Sequence, residues 1–169
     1  MNASYHAHNA NQLLNSHQCF ADLPIPLLYQ QLDQLFPGSL FIHTTRDVDK
    51  WLGSMKWLYE SAGPLWRRGF VDDELLYQMY GSSRFNEQLL KVSFLNHEES
   101  VQAFLAQKNG QGLTIHIDKG ELTYATLGQF IKIPSGLTGD LPRLNEPKSP
   151  SVIRKLNHFI ERRYLPLNA

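Results

Sequence analysis

The segment Phe41-Ile42-His43-Thr44-Thr45-Arg46-Asp47-Val48-Asp49-Lys50-Trp51-Leu52-Gly53-Ser54 changes character half-way along. Residues 40–45 are short, apolar and β-branched, which predicts a buried strand. From Asp47 onward Val48, Trp51, Leu52, Met55 and Leu58 recur at helical spacing. Arg46 therefore falls at the carboxyl end of a strand, where open α/β sheets bind their ligands. Ser54 follows it by eight residues, on the helix. A guanidinium there, beside helix-terminal N–H groups, suits a phosphate. The competing reading pairs Arg46 with Asp47 or Asp49 and leaves Ser54 a small helix residue.

The flanking sequence extends the same alternation. Ile25, Leu28, Leu32 and Leu35 predict an amphipathic helix over 25–36, stopped by Pro37-Gly38. Helices are also expected over 71–80, 84–107, 121–131 and 151–163, with a loop over 135–150. Asn109-Gly110-Gln111-Gly112 is a turn, and residues 113–117 form a second strand. Strands separated by helices require parallel pairing and a crossover. The expected class is therefore α/β, but two strands make a sheet too small for such apolar helices. Residues 1–20, rich in Asn, His, Ser and Gln, read as a loosely ordered entry segment. Residues 21–169 read as the domain.

Composition narrows the function. The 169 residues fit one domain, 42% apolar and 19% charged. Lys+Arg and Asp+Glu are both 16, which argues against a broadly basic nucleic-acid binder. Residues 1–40 hold only Asp22 and Asp33, whereas residues 109–169 hold eight basic and five acidic side chains. No apolar run reaches the ~18 residues of a membrane span, and Met1 to Gln12 lacks the regions of a secretory signal. The single cysteine, Cys19, excludes an internal disulfide framework. A soluble, cytoplasmic chain without nucleic-acid or membrane partners is the expectation.

With these residues in view, the chain resembles the sulfotransferases. In that family a strand leads into an Arg-Asn/Asp-Pro segment, and a Ser follows the Arg at the spacing of Arg46 and Ser54. Val48 departs from the usual Pro. Asp22-Leu23-Pro24 is similar to the Asp-x-Pro motif of the bacterial and fungal branch. Tyr80-Gly81-Ser82-Ser83-Arg84-Phe85, Asn96-His97, Leu113 to Ile117, Gly128 to Pro134 and Leu141 to Glu146 follow that branch in order, over about residues 20–147. The resemblance implies a three-layer parallel α/β sheet of the P-loop NTPase-like kind. It implies 3′-phosphoadenosine 5′-phosphosulfate as co-substrate, with Arg46 and Ser54 holding its 3′-phosphate, and no metal. It also implies sulfuryl transfer to a hydroxyl or amine of a small-molecule or sugar acceptor. Asp22 stands where relatives carry a catalytic base. The other reading of Asp22 is a cap for the following helix.

One element of the family pattern is not found. The Gly-rich loop that cradles the 5′-phosphosulfate has no counterpart in residues 1–38, where Gly38 is the first glycine. The expectation is thus a partial sheet lacking the first strand and that loop. A second copy or a partner chain would complete it. The open alternatives are an enzyme, a non-catalytic binding relative, and a chain whose true start lies upstream of Met1. For the 169-residue chain alone, weak binding of a bisphosphate nucleotide and slow or no transfer are expected.

Other residues carry weaker signals. His97 lies mid-helix and either lines an acceptor site or packs. His6 and His8 are spaced like a metal pair, with no cluster to join them. His116, between Ile115 and Ile117, reads as a packing residue. Trp51, Trp57 and Trp66 read as core, and Arg67-Arg68 as a solvated pair.

Overall fold

A computed structural model describes residues 16–61 and 73–132, together with Leu14 and Leu141. The expectations for His6, His8, Trp66, Arg67-Arg68, the loop 135–150 and the helix 151–163 lie outside these residues, as does most of the segment 1–20.

The order is α1 (Ile25–Leu35), β1 (Phe41–Thr45), α2 (Val48–Ser61), α3 (Asp73–Tyr80), α4 (Glu87–Leu105), β2 (Gly112–His116), a 3-10 turn (Ile117–Lys119) and α5 (Tyr124–Ile131). β1 and β2 pair in parallel, Phe41 against Gly112 through Thr45 against His116. The α/β class and the parallel pairing are as the strand–helix alternation requires: α2, α3 and α4 form the crossover. Among the described residues the sheet has two strands.

Local chemistry sets the element ends. α2 starts at Val48 because the Asp47 carboxylate accepts from the N–H groups of Asp49 and Lys50, both at 3.0 Å. α4 starts at Glu87, three residues later than its apolar period suggests. Asn86 caps it by accepting from Leu89 N–H at 3.1 Å, and Ser82 ties Arg84 into a preceding turn. α5 likewise starts at Tyr124, where Thr123 accepts from Thr126 N–H at 3.1 Å. β2 ends at His116 rather than at 117, because Ile117 enters the 3-10 turn that Gly120 closes at φ 71°.

α4 covers one face of the sheet. Phe41, His43 and Thr45 share that face by strand alternation. Phe104 meets Phe41 edge-on at 5.1 Å, Glu98 binds His43 and Thr45, and Gln102 donates to Thr114 at 3.3 Å. At Gly112 the helix comes so close that a Cβ would lie 2.8 Å from a Leu105 methyl. On its other side α4 buries Leu90 against Leu52 and Met55 of α2, with Trp51, Tyr80 and Phe85 around them. Trp51 thus joins the core as expected. Trp57 does not: it is 36% exposed, on the outer side of α2. Lys108 pairs with Asp33 and fastens the end of α4 to α1.

Candidate functional site

The carboxyl end of β1 holds the residues singled out in the sequence. Arg46 Nη1 donates to Ser54 Oγ at 3.2 Å, so the guanidinium and the hydroxyl lie on one side of α2. The eight-residue spacing brings this about: Arg46 precedes the helix and Ser54 sits two turns in. Ser54 Oγ itself donates to the Lys50 carbonyl at 3.1 Å.

The alternative partners proposed for Arg46 are occupied elsewhere. Asp47 caps α2, and Asp49 meets Lys91 at 3.4 Å. The partner of Arg46 is Asp118 of the 3-10 turn, at 3.6 Å from Nη2. Lys50 reaches the same carboxylate oxygen at 3.4 Å. The other oxygen accepts from Asp47 N–H at 2.8 Å. That backbone bond, with Lys50 and Arg46 beside it, holds the Asp118 carboxyl below the usual aspartate range against the opposing cost of partial burial. The helix-terminal N–H groups expected to face a ligand are therefore engaged at Asp47, Asp49 and Lys50. The Arg46 guanidinium and the Ser54 hydroxyl lie beside these engaged groups. Arg46 Nε is buried without a hydrogen-bond partner.

Arg46 also lines a cavity of about 640 Å³. Its walls include Phe41, Ile42, His43 and Thr44, from both faces of β1, and Asp22, Tyr29, Trp51, Tyr80, Phe94 and His97. Ser54 lies outside this lining, one hydrogen bond away. Asp22 stands at the cavity with φ 62°, a left-handed conformation that aspartate tolerates. It is not the helix cap. The cap position of α1 is Pro24, no side chain caps it, and Asp22 contributes its backbone carbonyl to Ile25 N–H at 2.9 Å.

Two side chains on this wall, His43 and Glu98, were not singled out from sequence. His43 Nε2 lies 2.9 Å from Glu98 Oε1, and Thr45 Oγ1 donates to Glu98 Oε2 at 2.8 Å. The signal was present as His43 and Thr45 at alternate strand positions, but their partner is over fifty residues away. His116, expected to pack, is half-buried with Nδ1 lacking a partner. His97 is turned to the cavity. Its ring stands between His43 at 6.0 Å and Tyr29 at 6.2 Å. Burial, then the neighbouring His43, lower its pKa, and Glu98 opposes them.

That shift has a testable sign. An unfolded His97 takes its proton near the ordinary value of about 6.5, whereas the folded one resists. Its contribution should therefore be neutral above that value. Stability should be lost as pH falls through it, levelling off below the lowered folded pKa. Urea unfolding at about pH 7.5 and about pH 5.5 should show this loss, and His97→Gln should reduce it. An unchanged difference would remove His97 from the account.

The sulfotransferase domain family matches residues 1–149. The chain belongs to the sulfotransferase family. The match spans β1, α2 and the whole cavity wall, so Arg46, Ser54 and Asp22 all fall within the sulfotransferase region. No curated protein matches the chain. Among the described residues there is no cluster of metal-ligating side chains, and no helix is long and apolar enough to cross a membrane.

Proposed function

We propose that the chain works in the cytoplasm as a sulfotransferase using 3′-phosphoadenosine 5′-phosphosulfate, and that Arg46 and Ser54 grip the donor's 3′-phosphate. The observation that carries this reading is the 3.2 Å contact between them at the carboxyl end of a parallel strand. A phosphate accepts from the fork of the guanidinium, including the partnerless Nε. The Ser54 hydroxyl exchanges its bond to the Lys50 carbonyl for one to the phosphate.

Asp22, across the cavity, takes the proton from the acceptor's hydroxyl or amine. The acceptor atom attacks sulfur, and the bond from sulfur to the bridging oxygen breaks. The electron pair leaves with the bisphosphate nucleotide. Aromatic side chains line the cavity around this step. Metal ions have no part in this reading. Acceptors are small molecules or sugars.

β1 pairs on one edge only among the described residues, and the cavity reaches both its faces. A strand from a second copy or a partner chain at that edge is part of the proposal. The second reading, a relative that holds the nucleotide without transferring sulfate, keeps the same grip.

A transfer assay with radiolabelled donor, beside a titration with adenosine 3′,5′-bisphosphate, separates the two readings. From the slow turnover expected of the parent, turnover in Asp22→Asn is expected to fall about 100-fold further, in line with the loss of a general base, while nucleotide affinity stays unchanged. Equal turnover in the two proteins would take Asp22 out of the chemistry. Binding with no turnover at all would select the non-catalytic relative.

A further inference from the structure

Asp118 lies where a phosphate would have to compete with it. It arrives from the far end of β2, yet its carboxylate meets both cations beside Ser54: Arg46 at 3.6 Å and Lys50 at 3.4 Å. The other nearby acids are already committed, Asp47 to the start of α2 and Asp49 to Lys91. Asp118 is thus the one described carboxylate that neutralises the Arg46–Lys50 pair. Its side chain is 17% exposed, and its second oxygen is pinned by Asp47 N–H at 2.8 Å, so it is held against the cations instead of swinging freely.

We propose that Asp118 is an internal competitor of the anion site, and that Lys50 is a third binding residue beside Arg46 and Ser54. This rests on the reading of Arg46 and Ser54 as the 3′-phosphate grip. A dianionic phosphate approaching Arg46 displaces one carboxylate charge from two cations. Arg46 and Lys50 then turn from Asp118 to the phosphate, while the Asp47 N–H bond keeps the carboxylate in place. The consequence is a moderated affinity. Two cations without a counter-ion would hold the spent bisphosphate nucleotide tightly, and a slow product release would limit turnover. With Asp118 present, the outgoing nucleotide is exchanged for a charge already waiting beside the cations.

The test is a calorimetric titration of the full chain with adenosine 3′,5′-bisphosphate at low and high salt. Asp118→Asn keeps an oxygen for Asp47 N–H but removes the charge. It is expected to bind the nucleotide about three- to tenfold tighter than the parent at low salt, with the gain shrinking as salt screens it. A residue that merely supports the site would not raise affinity when weakened. Lys50→Met is expected to bind about threefold more weakly or worse. Unchanged or weaker binding in Asp118→Asn, with Arg46→Met still weakening it, would overturn the competitor while leaving the grip intact. If Asp118→Asn does not fold, undiminished affinity in Lys50→Met would overturn the proposal. Indifference of binding to Arg46→Met would overturn the grip and this inference together.

Discussion

Leu90→Ala is expected to cost roughly 2–5 kcal/mol of unfolding free energy, the range for truncating a fully buried leucine. Leu90 has no exposed surface and is the α4 member of the cluster with Leu52 and Met55. The cavity would open between α4 and α2, the two helices that share this cluster. That loss is a large part of a typical stability of about 5–15 kcal/mol. Leu89, the adjacent residue, is 42% exposed, and Leu89→Ala should cost much less. Urea unfolding of the two variants checks the contrast. Similar midpoints would mean that α4 does not pack as described.

Arg46→Met should weaken binding of adenosine 3′,5′-bisphosphate by about 10- to 150-fold, equivalent to roughly 1.5–3 kcal/mol for lost charge-assisted hydrogen bonds. Methionine keeps much of the apolar stem, so packing at the cavity wall changes little. Removing Arg46 also leaves Asp118 with Lys50 as its remaining ion-pair partner, which adds repulsion toward an incoming phosphate. Ser54→Ala should cost less, since the hydroxyl is neutral and gives up its Lys50 bond to reach the ligand.

Much of this geometry was legible in the sequence because it is local. Arg46, the α2 period and Ser54 lie within nine residues, and helical spacing alone puts the last two turns together. The helix stop at Pro37-Gly38 and the second strand were read from turn chemistry of the same short range. What escaped was long-range. Asp118 lies 72 residues from Arg46, and only the parallel register that sets Thr45 beside His116 brings the 3-10 turn to it. Glu98 meets His43 by the same mechanism, through the seating of α4 on the sheet. Of the two readings of Asp22, the helix cap fails because the cap position falls to Pro24, while Asp22 sits at a left-handed φ. Trp57 shows the limit of composition, since a large aromatic at a helix position next to the apolar face still points outward.

Arg46 and Ser54 are proposed to recognise a 3′-phosphate. Paired calorimetric titrations with adenosine 3′,5′-bisphosphate and adenosine 5′-monophosphate, on the parent chain and Arg46→Met, test it most directly. The parent is expected to prefer the 3′-phosphorylated nucleotide, and Arg46→Met to lose the preference. Equal affinity of the parent for both nucleotides, or a preference that survives Arg46→Met, would contradict it.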